Sequence, residues 1–285
     1  MLPGSTDSDT PTHAVRALAL SCHPLPTAGV TAISAGLAAL AGLALGRGAL
    51  FTIAVFVGQL SIGWSNDWID AARDQAVGRT DKPVARGAIP TGTVRTAALL
   101  ALVVAAALSM SLGWRAGLAA LVLVVAGWLY NLGLKGTVVS WVPYAAGFGS
   151  LPAAATLALP GHPWPAWWAM TAGALLGIAA HAANVLPDLG SDTATGINGF
   201  WHLLGARSTA IGGPLVLFAA SFVVLLGPGD ARTWTWIAVA LIVVLAVAGV
   251  GIGLRKPESR VLFLATIALA GIDLVLFAVS GSSLS

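Results

Sequence analysis

Charge is what this chain has least of. Aspartate and glutamate together number eleven in 285 residues, and 9% of all residues are charged. Hydrophobic residues make up 57%, and mean hydropathy is +0.88, outside the range of a soluble domain. Cys22 is the sole cysteine, which excludes an intrachain disulfide, and it reads as a small buried residue. The chain has no basic helix or finger motif, so nucleic acid is not an expected partner. No protein partner is implied either. Polar stretches stay below roughly 30 residues, too short for a separate soluble domain. Residues 1–21 are rich in Thr, Ser, Asp and Pro and lack a charged segment followed by an apolar one. A disordered tail is expected there rather than a cleaved leader.

What fills the chain instead is a series of apolar stretches, each near the ~20 residues that cross a bilayer. Nine are read: 25–45, 49–65, 93–112, 115–133, 138–159, 165–186, 208–227, 233–253 and 260–281. The expected fold is one all-α membrane domain over residues 22–285. With nine spans, the N-terminus shares a side with the 2–3, 4–5, 6–7 and 8–9 loops. That side carries Arg16, Arg73, Arg79, Lys82, Arg86, Arg95, Lys135, Arg207, Arg255, Lys256 and Arg260. The other side carries Arg47, Arg115 and Arg232. This asymmetry places the N-terminus in the cytoplasm. Most of the eleven tryptophans lie at span ends and read as interface anchors.

Five of the eleven carboxylates fall in two short segments, 66–74 and 184–192. Each repeats Asn-xxx-Asp-xxx-Asp: Asn66, Asp70, Asp74 and Asn184, Asp188, Asp192. On a helix, positions i, i+4 and i+8 stack along one face. Each segment then presents an oxygen-rich stripe, extended upward by Gln59 and Gly63 in the first and His181 in the second. Asp67 sits off the first face. Hard oxygen donors suit Mg²⁺, which takes a few carboxylates plus substrate phosphates. Two facing stripes would grip a diphosphate through metal ions. Both motifs end a span and open a long polar connection, about 66–92 and 187–207, as in a weak pseudo-repeat. Pro187 inside the second motif is expected to kink or end the sixth span.

Several other polar groups stand out. Arg79 and Lys82 follow the first stripe and would neutralise a phosphate. Arg86 and Arg95 read as ordinary positive-inside residues. Tyr130 and Lys135, at the end of the fourth span, suit either phosphate contacts or an interfacial tyrosine with a snorkelling lysine. His181, deeper than Asp188, suits either an acceptor-pocket base or a structural histidine. Asp273, alone in the last span, has no partner visible in the sequence and reads as structural.

These residues resemble the UbiA superfamily of intramembrane prenyltransferases. The first signature is Asn66-Asp67-x-x-Asp70-x-x-x-Asp74, then Arg79-Thr80-x-Lys82-Pro83 and Gly87. The second, Asn184-x-x-x-Asp188-x-x-x-Asp192 with Gly196 and Leu204-Gly205, looks like the menaquinone-type and plant-quinone-type branch. Tyr130-Asn131-Leu132-Gly133-Leu134-Lys135 is similar to the family's fourth helix. The resemblance implies nine helices around a central cavity, capped by the cytoplasmic 2–3 and 6–7 loops, in a multi-pass protein of a bacterial plasma membrane. It implies Mg²⁺ held by Asn66, Asp70, Asp74, Asn184, Asp188 and Asp192, and a prenyl diphosphate whose tail lies in a channel open to membrane lipid. Arg79, Lys82 and Lys135 would stabilise the leaving diphosphate, with Tyr130 and His181 also in the catalytic set. The acceptor would be an aromatic or hydroxyl compound. Where many relatives carry an arginine before Leu204-Gly205, this chain has Leu203, and the preceding His202 is the candidate to replace it. The other readings are a terpene cyclase of the same fold, a polyprenyl-phosphate phosphoribosyltransferase and a cation-coupled transporter.

Overall fold

The structure, a computed structural model, describes residues 11–229, 233–256, 261–280 and 284. Among these residues every regular element is helical. The α-helices are α1 (Pro11–Ser21), α2 (Pro24–Leu40), α3 (Leu45–Ala76), α4 (Thr91–Met110), α5 (Trp114–Leu132), α6 (Val142–Thr156), α7 (Trp167–Val185), α8 (Leu189–Ala194), α9 (Phe200–Leu226), α10 (Thr233–Arg255) and α11 (Val261–Ser280).

Among the described residues, each of the nine apolar stretches overlaps one of α2–α7 and α9–α11, with ends that differ by several residues. Among the same described residues, five helical segments are long and apolar enough to cross a membrane: Leu45–Ala76, Thr91–Met110, Trp114–Leu132, Trp167–Ala194 and Phe200–Leu226. The 17 residues of α2 and 15 of α6 fall short of the full length. The tail expected over 1–21 needs correction in its second half. Residues 11–21 form α1, because the apolar run Ala14-Val15-x-Ala17-Leu18-Ala19-Leu20 outweighs the polar composition before it. Ala17 is buried with Ala71, Val84 and Val94, and Trp64 Nε1 donates to Leu18 O at 2.9 Å. Residues 1–10 lie outside the described residues.

Two features of helix formation position the site. The first is the length of α3. No Gly or Pro interrupts 64–77, so the helix runs 32 residues, about 48 Å, well past a hydrocarbon core. It stops at Val77 and Gly78, whose φ of 67° is left-handed. The first stripe is therefore helical throughout rather than looped. The second feature is Pro187. It ends α7 in a 3₁₀ turn over Leu186–Asp188, and α8 carries on from there. Later in the same connection, Gly205 breaks α9 internally with φ 79° and ψ 166°.

Polar side chains tie the helices together. Asn131 of α5 donates to Ser65 Oγ at 2.8 Å and to Ile62 O at 3.0 Å on α3. Trp128 donates to Ser61 Oγ at 3.0 Å, and Ser61 donates to Ala98 O of α4 at 2.9 Å. At the opposite end of α3, Arg47 donates to Leu112 O at 2.7 Å. Close backbone approach does the rest: a Cβ on Gly63 would lie 2.2 Å from Cys22 O, so only glycine lets α3 meet the start of α2.

Candidate active site

One cavity of about 520 Å³ takes in both acidic segments. From α3 come Asn66, Asp67, Asp70, Arg73 and Asp74; from the following loop, Arg79, Asp81 and Lys82. Tyr130 and Lys135 enter from the end of α5 and the turn after it, and Tyr144 from α6. Asn184, Asp188 and Asp192 enter from α7, the 3₁₀ turn and α8. Deeper, the wall is apolar, with Val30, Ile33, Leu123 and Leu176.

The carboxylates are held by cations of the same chain. Lys82 Nζ lies 2.9 Å from Asp74 Oδ2, 3.2 Å from Asp67 Oδ1 and 3.1 Å from Asn66 Oδ1. Lys135 pairs with Asp70. Arg73 contacts Asp70 at 2.9 Å and Asp74 at 3.8 Å. Arg79 grips Asp81 with two hydrogen bonds of 2.8 and 2.9 Å and reaches Asp188 at 3.4 Å. It thereby links the loop after the first motif to the second motif. His23 pairs with Asp67 at 3.0 Å, and His202 with Asp192 at 3.3 Å.

Protonation follows from these contacts. Asp81 is held down to about 2, chiefly by its hydrogen bonds from Arg79, whose own pKa is raised. Burial opposes the charge on Lys82, yet Asp67 and Asp74 outweigh it and lift its pKa. Lys135 differs: burial wins over Asp70, with Arg73 and Lys82 adding repulsion, and its pKa is lowered.

Several expectations need correction. Asp67, though off the face of the first stripe, also turns inward; it is 2% exposed and paired with Lys82 and His23. His181 does not share the cavity face with Asn184, Asp188 and Asp192. It is fully buried behind two tyrosines, with Nε2 3.4 Å from Tyr130 Oη and its ring stacked on Tyr144 at 4.7 Å. Tyr130 of α5 and Tyr144 of α6 cover its ring and close it off from the cavity; Pro187 separates only Asp188 and Asp192 from the register of α7. His202 is buried and engages Asp192 rather than the cavity. Asp273 does have a partner: Ser221 Oγ donates to its Oδ2 at 2.7 Å. Charge alone did not single out Arg73, His23 or Tyr144. Arg73 sits i+3 from Asp70, a spacing that signals the pair; His23 and Tyr144 carry no comparable signal.

If the cavity serves the prenyl transfer that the family resemblance implies, a His181→Ala variant should leave diphosphate binding within about twofold of wild type while transfer falls on the order of tenfold, through loss of the support that fixes Tyr130. Binding and single-turnover measurements on one preparation check this. Equal loss in both would show His181 to be part of the diphosphate site.

The cavity is thus charged at one end and apolar at the other. The chain belongs to the UbiA prenyltransferase family, whose sequence model matches residues 27–277. Its fold is similar to a UbiA homolog from Archaeoglobus fulgidus bound to GPP and Mg²⁺, with TM-score 0.72 and 15% identity over 93% of this chain and 98% of that one. The same archaeal protein bound to DMAPP and Mg²⁺ gives TM-score 0.71 at 15% identity, covering 93% and 97%. The apo UbiA homolog from Aeropyrum pernix K1 gives 0.71 at 16% identity, covering 88% and 97%. At these identities the likeness establishes the fold. No curated protein sequence matches the chain significantly.

Proposed function

We propose that the chain is a Mg²⁺-dependent prenyltransferase of the membrane, moving a prenyl group from a prenyl diphosphate to an aromatic or other electron-rich lipid-precursor acceptor. The observation that carries this reading is the division of one cavity into a charged end, shared by both acidic motifs, and an apolar end. The archaeal neighbours bound to GPP or DMAPP with Mg²⁺ support it.

The residues present fit a divalent cation by charge and by donor type. Six carboxylates line the cavity against four lysine and arginine side chains, an excess of two negative charges. Among the described residues, no three His, Cys, Asp or Glu side chains converge as a metal-ready group. Mg²⁺ needs only one or two carboxylates and completes its shell with phosphate and water. Asn66, Asp70, Asp74, Asn184, Asp188 and Asp192 would hold it. When bound it supplies neutralisation of the charge that develops on the diphosphate.

The chain's own groups do the rest. Lys82, Lys135 and Arg79 are already within the cavity and would turn from carboxylate to phosphate oxygens as the donor enters. Breaking the bond from the donor's C1 to oxygen leaves the electron pair on diphosphate, next to these cations. The apolar wall excludes water from the allylic cation, and the Tyr130 and Tyr144 rings lie at the boundary between the two ends. The acceptor bonds to C1 and passes its proton to an oxygen of the departing diphosphate. Tyr130, not His181, is the group that meets the cavity, so His181 acts through it.

Incubation of purified protein with Mg²⁺, geranyl or farnesyl diphosphate and a panel of phenolic and hydroxylated acceptors should yield a prenylated acceptor. A cyclic hydrocarbon formed without acceptor would overturn transfer in favour of cyclisation.

We further propose nine spans with the N-terminus and both motif loops in the cytoplasm, supported by the cation asymmetry. In a Cys22→Ala background, an impermeant maleimide should label Ser111→Cys on intact cells and Ala88→Cys only after permeabilisation. Both positions are exposed, at opposite ends of α4. Labelling of both from the same side would contradict the topology.

A further inference from the structure

The apolar end of the cavity has a second chamber beneath it, of about 80 Å³. The two spaces share three lining residues: Ile33 of α2, Phe148 of α6 and Leu176 of α7. The linings follow one order along four helices. On α6, Tyr144 lines the upper cavity, Phe148 both, and Leu151 the lower chamber. On α7, running the other way, the order is Ala180, Leu176, Ala172. On α2 it is Val30, Ile33, Leu37, and on α11 the lining passes from Ile267 to Ala270. The lower chamber is therefore in line with the upper one, on the side away from the carboxylates. One layer of side chains separates them. Along α7 the lower lining continues from Leu176 to Trp168, a height of about 12 Å.

Phe148 is the bulkiest member of that layer, and it is held in place. Its ring stacks on Tyr144 at 6.5 Å with planes 10° apart. The α6 backbone behind it is pressed onto α7: a Cβ on Gly177 would lie 2.3 Å from Tyr144 O, and one on Gly173 would lie 2.7 Å from Phe148 O. With α6 seated on two glycines, the height of Phe148 in the cavity is fixed by backbone contact rather than by a mobile side chain. Below it the lining is hydrocarbon apart from Asp273, so a chain that passed the layer would enter a compatible space.

We infer that Ile33, Phe148 and Leu176 form a partition that sets the length of the prenyl donor, with Phe148 as its main element. This rests on the proposed binding of a prenyl diphosphate with its head at the carboxylates, and it sets the tail downward along α2, α6, α7 and α11 instead of sideways into lipid as the family resemblance implies. In the wild-type chain the tail ends on Phe148, and a short-chain donor is preferred. Removing the ring joins the two chambers and admits a longer tail.

The test is Mg²⁺-dependent binding of inert geranyl and geranylgeranyl thiodiphosphates to wild type, Phe148→Ala, Phe148→Leu and Leu176→Ala. Wild type should favour the geranyl compound. Phe148→Ala should shift the ratio toward the geranylgeranyl compound by about tenfold or more, and Leu176→Ala should shift it the same way by less. Phe148→Leu, which keeps most of the bulk, should stay near wild type. Leu176→Ala keeps the question open to decision should Phe148→Ala fail to fold. Equal wild-type affinity for both compounds, as expected if long tails leave sideways into lipid, would overturn the partition. So would an unchanged ratio in folded Phe148→Ala. If wild type binds neither compound with Mg²⁺ present, the donor reading itself fails, and the partition with it.

Discussion

Asp70→Ala and Asp188→Ala should each lower turnover on the order of a hundredfold or more. The two residues belong to different motifs and different helical segments, yet they line one cavity. In the free site Asp70 is 5% exposed, paired with Arg73 and Lys135. Asp188, 36% exposed at its side chain, contacts Arg79. If each carboxylate holds Mg²⁺ against the diphosphate, its loss removes an interaction that strengthens as the leaving group gains charge. An effect of several kcal/mol on the barrier corresponds to that loss in rate. The two variants separate catalysis from folding. Asp70→Ala leaves Lys135 and Arg73 in a buried site without their carboxylate, so a fall in thermal stability is expected as well. Asp188→Ala removes a half-exposed group and should unfold at close to the wild-type temperature. Steady-state turnover with saturating Mg²⁺, beside melting in detergent, reads both. Near-normal turnover in Asp188→Ala would remove the second motif from the site.

Excess EDTA should abolish turnover, and added Mg²⁺ should restore it. The charge excess around the cavity is two, and the donors are carboxylate and amide oxygens, which favour a hard divalent ion. Cysteine and histidine sets that would favour Zn²⁺ are missing among the described residues. Lys82, Lys135, Arg73 and Arg79 pair with Asp67, Asp70, Asp74, Asp81 and Asp188, so the chelated protein should stay folded and the loss should be reversible. Undiminished turnover in excess chelator would contradict the account; so would permanent loss in protein that remains folded.

Much of this site was legible because its signals are local. Asn66, Asp70 and Asp74 lie on one unbroken helix, so their spacing translates directly into a shared face. Pro187 marks the end of α7 for a reason internal to the residue. The misreadings involve packing between distant segments. His181 has the spacing of a cavity residue, but its burial depends on Tyr130 and Tyr144 from α5 and α6. Asp67 lies off the stripe, and its inward direction depends on His23, 44 residues earlier, and on Lys82. Asp273 looked solitary because Ser221 is 52 residues away on α9. Helical periodicity gives the face of a residue, while the neighbour that face meets is set by how the helices pack.

The central claim is that both motifs act together on a metal-bound diphosphate, and affinity for an inert prenyl thiodiphosphate tests it most directly. Titration should be run on wild type, Asp70→Ala and Asp188→Ala, each with Mg²⁺ and with EDTA. Wild type should bind tightly with Mg²⁺ and weakly with EDTA. Each variant should lose about tenfold or more of the Mg²⁺-dependent affinity, bringing it close to the EDTA value. Wild-type affinity indifferent to Mg²⁺, or full Mg²⁺-dependent affinity in either variant, would contradict the account.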